Sequence, residues 1–234
     1  MDINGKVLGV LGGMGPLASA QFMVRLTLLT SAPREQDHIP TVLWSDPRVP
    51  DRTIAHPDSA ADPLPWLLRG IAGLERAGCR AIAIPCNTAH RWYDALSNAA
   101  RSPILHIVDA AAAELQRLEI RGGPVGVMAT RTMLAMGLYQ DRLGALGWDC
   151  LVPGDDEMER LVEPAIAQVK ANRVAEAYAP LAEVVRRLAE RGAVSVVLGC
   201  TEMPMGIQTG PPTGLPVVDT IDALARAAIA WAKA

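Results

Sequence analysis

The sequence predicts an α/β protein of two pseudo-symmetric lobes, each on a mostly parallel four-stranded sheet, with the active site in the cleft between them. Two observations carry this. Short runs rich in Val, Ile and Leu alternate with longer Ala/Leu/Arg stretches of helical period, the pattern of parallel strands covered by crossover helices. The chain also repeats itself: a shift of 114 lays Leu74 on Leu188, Gly78 on Gly192 and Cys86 on Cys200, with Ala81-Ile82-Ala83-Ile84 over Ser195-Val196-Val197-Leu198.

Taken in order, strands are predicted near 6–11, 40–45, 80–85 and 104–107, and again near 124–128, 149–152, 194–199 and 216–218. Val7-Leu8-Gly9-Val10 matches Pro124-Val125-Gly126-Val127 at a slightly different offset, as insertions would cause. Pro16 suits the first position of a helix, and Asp109 and Asp219 are placed to cap the helices that follow the fourth strand of each half. The first lobe is expected over 1–108, with 214–234 returning to it, and the second over 109–213.

Of 234 residues half are apolar, enough for a real core. The formal charge of -3 gives no electrostatic reason for a nucleic-acid or anionic-membrane partner. No apolar run reaches the ~20 residues that span a bilayer, and Met1-Asp2-Ile3-Asn4-Gly5-Lys6 carries no basic leader, so a cytoplasmic protein is expected. Cys79, Cys86, Cys150 and Cys200 form no Cys-x-x-Cys pair, which argues for free thiols over a zinc site. Lysines occur only at 6, 170 and 233, and a pyridoxal Schiff base would have to use Lys170.

Chemistry concentrates at strand ends. Pro85-Cys86-Asn87-Thr88 and Gly199-Cys200-Thr201-Glu202 each place a thiol and short polar side chains just past a buried strand, where helix N-termini converge on ligands. Helices opening at Asn87-Thr88 and Thr201-Glu202 would aim backbone N–H groups at the sulfur and favour the thiolate. For Cys79 and Cys150 the expected role is that of a small buried hydrophobe.

Gly13-x-Gly15-x-x-Ala18 is a dinucleotide fingerprint on paper, but no ribose-binding acid ends the next strand on schedule, so a tight loop beside a small anion is the better reading. Asp46-Pro47-Arg48-Val49-Pro50-Asp51-Arg52-Thr53 is a stiff loop with two guanidinium groups able to fix a carboxylate. For Arg48 an ion pair is the equal alternative. His90 lies one helical turn past Cys86, within reach to tune it or to sit on a helix face; His38, His56 and His106 suggest less.

These marks together resemble the aspartate/glutamate racemase superfamily, aspartate racemase branch, over essentially the whole chain: Leu11-Gly12-Gly13-Met14-Gly15-Pro16, Val49-Pro50-Asp51-Arg52-Thr53, Pro85-Cys86-Asn87-Thr88-Ala89-His90, Gly199-Cys200-Thr201-Glu202 and the Val169-Lys170 turn. The resemblance implies cofactor-independent racemisation of aspartate or a related acidic amino acid, usually in a homodimer. Cys86 and Cys200 would be the acid/base pair; Asn87, Thr88 and Thr201 would hold the α-carboxylate and amino group; and Arg52 and Lys170 would meet the side-chain carboxylate. Met14, Thr130 and Glu202 complete the implied substrate-binding set. The glutamate branch has an acid in the first loop and a histidine after the second Cys-Thr, where this chain has Leu11-Gly12-Gly13 and Glu202. Ser45-Asp46 stands where many relatives have two asparagines, and Thr132-Met133 where they have Gly-Thr; both bear on substrate choice. Hydantoin racemases and maleate isomerases share the resemblance, and two cysteines argue against a single-cysteine decarboxylase. A nucleotide-binding oxidoreductase and a non-catalytic two-lobed binder are the readings from other classes.

Overall fold

The computed structural model describes residues 6–52 and 62–234, so Thr53 and His56 lie outside it. The chain divides into two units, Met1–Ala110 with Ile221–Ala234, and Ala111–Thr220.

The first unit runs β1 (Val7–Gly12), α1 (Pro16–Leu29), β2 (Thr41–Ser45), α2 (Leu64–Arg76), β3 (Cys79–Ala83), a 3-10 turn at Thr88–Trp92, α3 (Tyr93–Ala99), β4 (Ile104–Leu105) and the start of α4 (Ile107–Arg117). In the second, β5 (Val125–Ala129), α5 (Arg131–Ala135), α6 (Leu138–Gly144), β6 (Cys150–Leu151), α7 (Asp155–Glu157), α8 (Glu163–Lys170), α9 (Tyr178–Glu190), β7 (Ser195–Gly199), α10 (Met203–Ile207) and β8 (Val217–Asp219) lead to α11 (Thr220–Lys233). The sheets have strand orders β2-β1-β3-β4 and β6-β5-β7-β8. Every pairing in both is parallel.

The repeat holds at the level of packing. Helix α2 buries Leu67, Gly70, Ile71 and Leu74, and α9 buries Leu181, Val184, Val185 and Leu188, the same four positions after a shift of 114. That i, i+3, i+4, i+7 stripe is one helix face, and each fully buried Leu, Ile or Val on it contributes about 1.5–3 kcal/mol. Both helices stop at a glycine with positive φ, Gly78 at 90° and Gly192 at 95°. At Gly192 the Schellman bonds are complete, from Gly192 N–H to the Ala189 carbonyl and from Ala193 N–H to Leu188. The chain then turns straight into β3 or β7. All five residues of β5 and of β7 are buried, as strands covered on both faces must be.

Two details differ from the sequence reading. Asp109 lies inside the first turn of α4, which begins at Ile107, so it complements the helix dipole and is not the cap. The return to the first unit begins at Ile221, because Val217–Asp219 pairs with β7 in the second sheet. Helix α11 is fastened to the first unit by a bidentate ion pair between Arg25 and Asp222.

Candidate active site

In the first unit, three loops at the carboxyl ends of the adjacent strands β2, β1 and β3 carry the predicted residues. Loop one is held by Ser19, whose hydroxyl accepts from Gly13 N–H (2.9 Å) and donates to the Gly15 carbonyl (2.8 Å). Gly13 has φ 92°, and a Cβ there would lie 2.4 Å from the Asp46 carbonyl oxygen, so its lack of a side chain lets loop one touch loop two. The Gly13 amide is therefore committed to Ser19, where the sequence suggested a cradle for a small anion. Met14, Val49 and Cys86, one from each loop, are buried in the same apolar cluster.

Loop two resolves the two arginines. Asp46 accepts from Arg48 Nε (2.8 Å), Nη2 (2.9 Å) and backbone N–H (3.1 Å). The guanidinium holds the Asp46 carboxyl below its ordinary range and itself lies 5.7 Å from the Trp66 ring centroid. Arg48 is thus spent inside its own loop, and the charge that Asp46 introduces is met there. Arg52 is different. Its Nη1 donates to the Val49 and Pro50 carbonyls at 3.3 and 3.1 Å, and its buried Nε has no hydrogen-bond partner among the described residues.

Cys86, Asn87 and Thr88 are all buried, and Asn87 precedes the 3-10 turn that Thr88 opens. Both ring nitrogens of His90 have backbone partners. Its Nε2 accepts from Ile107 N–H (3.1 Å), which leaves Nδ1 to carry the proton and donate to the Cys86 carbonyl (3.0 Å). The imidazole is a neutral strut between the cysteine backbone and the start of α4. Around it His106 packs edge-on at 4.8 Å, and Tyr93 stacks at 6.2 Å.

In the second unit Cys200 is 6% exposed and Glu202 9%. The thiol donates to Glu202 Oε2 at 3.0 Å, and Thr201 Oγ1 donates to the same oxygen at 3.3 Å. Burial pushes the Cys200 thiol well above its ordinary range and Glu202 adds to that; the Glu202 backbone N–H and the Lys170 charge pull the other way without prevailing. The expectation that the following helix would make this sulfur a ready thiolate is thereby corrected. Helix α10 is a short turn, Met203–Ile207, and dehydration plus a like charge outweigh its N–H groups.

Lys170 ends α8 and is exposed, yet its charge acts on Cys200. Thr130 caps α5, its hydroxyl accepting from Met133 N–H at 3.3 Å. Met133 is fully buried and serves the core. One residue escaped sequence reasoning: Tyr139, fully buried, lies so close to Gly199 that a Cβ on the glycine would meet its ring at 2.9 Å. Burial and the neighbouring Cys200 keep its phenol protonated. Nothing in its helical sequence context distinguishes it from a core aromatic.

Among the described residues no group of three or more His, Cys, Asp or Glu is placed to hold a metal ion. No helix among them is long and apolar enough to cross a membrane.

A family model described as Asp/Glu/Hydantoin racemase matches residues 11–228. The chain belongs to that family. It is therefore an isomerase of the racemase type, and its two four-stranded α/β sheets are those of the family's solved members. The aspartate racemase of Picrophilus torridus is 32% identical, with 97% of this chain and 94% of that one covered at a TM-score of 0.84. The broad specificity amino-acid racemase RacX of Bacillus subtilis is 24% identical over 229 residues, 95% of this chain and 96% of that protein. Glutamate racemase from Francisella tularensis shares the fold at a TM-score of 0.72 and 15% identity.

Proposed function

We propose that the protein racemises an amino acid by two-base proton transfer, with Cys86 and Cys200 as the bases and no metal, pyridoxal or nucleotide. The observation that supports this most is the duplication itself: one buried thiol follows the third strand of each sheet, preceded by the same helix face and glycine turn, in a chain of the racemase family.

In this reading one cysteine, as thiolate, takes the α-proton; the C–H electron pair stays on carbon and spreads into the α-carboxylate. The other cysteine delivers its S–H proton to the opposite face. An α-proton is far less acidic than a thiol, so the carboxylate must be met by fixed donors in a dry site, where such donors count most. Asn87 and Thr88 are buried beside Cys86 and supply them, while Thr201, whose hydroxyl proton goes to Glu202, offers its oxygen to the α-amino group. With its thiol donated to Glu202, Cys200 rests protonated, as the returning acid requires. Arg52 and Lys170 are the cations for a substrate side-chain carboxylate, and aspartate or a related acidic amino acid is the substrate class. The reading also takes the protein to be a cytoplasmic homodimer.

A second substrate range is favoured by Asp46, which occupies Arg48 and reduces the positive charge of loop two. It is broad specificity among amino acids, as in the name of the Bacillus relative.

Each enantiomer of aspartate, then a panel of amino acids, is incubated in deuterated water. Racemisation with deuterium appearing first in the product enantiomer is the expected result, and Cys86→Ser or Cys200→Ser abolishes it. Most activity surviving either substitution sinks the two-thiol mechanism.

A further inference from the structure

We propose that Cys200 and Glu202 share one mobile proton, so that Glu202 is the internal acceptor that turns Cys200 into a base. The inference rests on the two-thiol reading and adds a residue to it. It starts from an asymmetry between the halves. Position Cys+2 is Thr88 after Cys86 and Glu202 after Cys200. That glutamate holds the second thiol, Sγ to Oε2 at 3.0 Å.

The physical difficulty is plain. Racemisation runs in both directions, so Cys200 must act as acid for one enantiomer and as base for the other. As an acid it is ready. As a base it must lose its proton in a nearly dry site already holding the Glu202 charge, and release to solvent would leave two adjacent anions. Transfer along the existing hydrogen bond avoids this: the S–H bond breaks, an O–H bond forms on Oε2, and the pair keeps one negative charge throughout. The thiolate then takes the substrate α-proton, an S–H bond forming as the C–H bond breaks, and the electron pair moves into the substrate carboxylate. In the opposite direction Cys200 gives its proton to carbon and Glu202 returns the one it holds.

Three other groups modulate the pair. Thr201 Oγ1 donates to Oε2 and stabilises the carboxylate. Lys170 and the Glu202 backbone N–H favour negative charge on the sulfur. Tyr139, on α6, is kept as the neutral phenol beside it.

The test separates the pair from the wider mechanism because one arm needs no turnover. Cys200 alkylation by iodoacetamide is followed by peptide mass spectrometry across pH in the full-length wild type, Glu202→Gln and Glu202→Asp. Cys150, whose thiol is pushed up to about 11 by burial and Asp149, is the reference in the same digest. Removing the charge in Glu202→Gln lowers the Cys200 midpoint by about 1–3 pH units, the usual effect of an adjacent like charge. Glu202→Asp, which keeps the charge, leaves it high.

Turnover moves the other way. Although Glu202→Gln makes the thiolate easier to form, kcat/KM at neutral pH falls by about 10²–10⁴, the usual worth of a positioned proton acceptor. The loss is equal for both enantiomers, since the equilibrium constant of racemisation is one. Activity returns as the pH approaches the variant's own thiol midpoint, where direct ionisation replaces the relay, and Glu202→Asp regains part of it. An unshifted Cys200 midpoint in Glu202→Gln, or unchanged or faster turnover, overturns the shared proton. Activity surviving Cys200→Ser would instead overturn the two-thiol reading, whatever the alkylation shows.

Discussion

Replacing Gly13 by alanine isolates the contact that joins the first two loops, because the fold supplies its own control. Gly13 and Gly78 have nearly the same backbone, φ 92° and 90°, but a Cβ at Gly78 meets nothing within 4 Å, whereas at Gly13 it would lie 2.4 Å from the Asp46 carbonyl oxygen and 2.5 Å from its carbonyl carbon and amide nitrogen. The left-handed conformation costs an alanine about 1–2 kcal/mol at either site, partly offset by about 0.4–1 kcal/mol from a less flexible unfolded chain. Gly78→Ala should therefore lose about 0–1.6 kcal/mol. At Gly13 the neighbour is backbone and cannot rotate away, so an overpacking cost of about 1–3 kcal/mol is added. In a chain of this size each kcal/mol moves the melting temperature by roughly 2–4 °C, which separates the variants by about 2–12 °C. Calorimetry of the two alanine variants against wild type measures this, and kinetics on the same samples should show the larger fall for Gly13→Ala, since Asp46 and the Arg48–Arg52 loop must give way. Equal melting temperatures for the two variants would refute the claim that the Gly13–Asp46 contact, not the positive φ, is what requires glycine.

Three further outcomes follow from the same geometry. His90→Ala leaves the Ile107 N–H and the Cys86 carbonyl without the ring that bridges them; at about 1–3 kcal/mol for each orphaned buried group, urea denaturation should show a loss of about 2–6 kcal/mol, and a change below about 0.5 kcal/mol counts against the strut. Arg48→Ala uncovers the Asp46 carboxylate, so KM should rise for acidic amino acids more than for neutral ones and fall back when Asp46→Asn is added; equal effects on both substrate classes refute the pairing as a specificity element. The Glu183 carboxyl is lowered from 4.5 to about 2 by Arg186 and Arg187. Its folded value lies below its unfolded one, so the stability it contributes is present above pH 4.5 and fades as pH falls through about 2. Glu183→Gln should flatten that part of the acid unfolding curve, and superimposable curves are the contrary result.

The sequence carried the scaffold because scaffold signals are periodic and local. A helical stripe, a glycine after it and an apolar run can be read without knowing what they touch, and the shift of 114 that aligned Leu74 with Leu188 also aligns Leu67 with Leu181 and Ile71 with Val185 in the buried faces. Residue types likewise pointed to the strand-end loops. What local reading could not supply was how each polar group is spent. Arg48 and Arg52 are four residues apart, but only Arg48 folds back onto Asp46. His90 has the spacing to tune Cys86 and uses both ring nitrogens on backbone partners, one of them 17 residues away at Ile107. Helix dipole reasoning anticipated a lowered thiol at Cys200, and it failed because burial and one carboxylate outweigh a short turn of helix. Each miss is a competition among several partners, and the sequence names the competitors without their distances.

The two halves also show how a repeated scaffold can hold unlike chemistry. The covering helix, the glycine turn, the buried strand and the terminal cysteine are matched feature for feature, and all of them act through backbone placement and apolar packing. Burial by these elements raises the Cys200 thiol, but it does not by itself set the two halves apart. That is left to the residues just after each cysteine, buried polar side chains that are not part of the stripe on α2 or α9. After Cys86 they bring a histidine that locks the backbone; after Cys200 they bring a carboxylate that takes the thiol hydrogen bond. A reaction between mirror-image ligands has an equilibrium constant of one, but the proposed two-thiol reaction does not require equal proton affinities, since each direction would use the two sulfurs in reverse order. In that proposal a sulfur that burial makes hard to ionise needs somewhere nearby to leave its proton. Within its own unit, the carboxylate 3.0 Å from Cys200 meets that need.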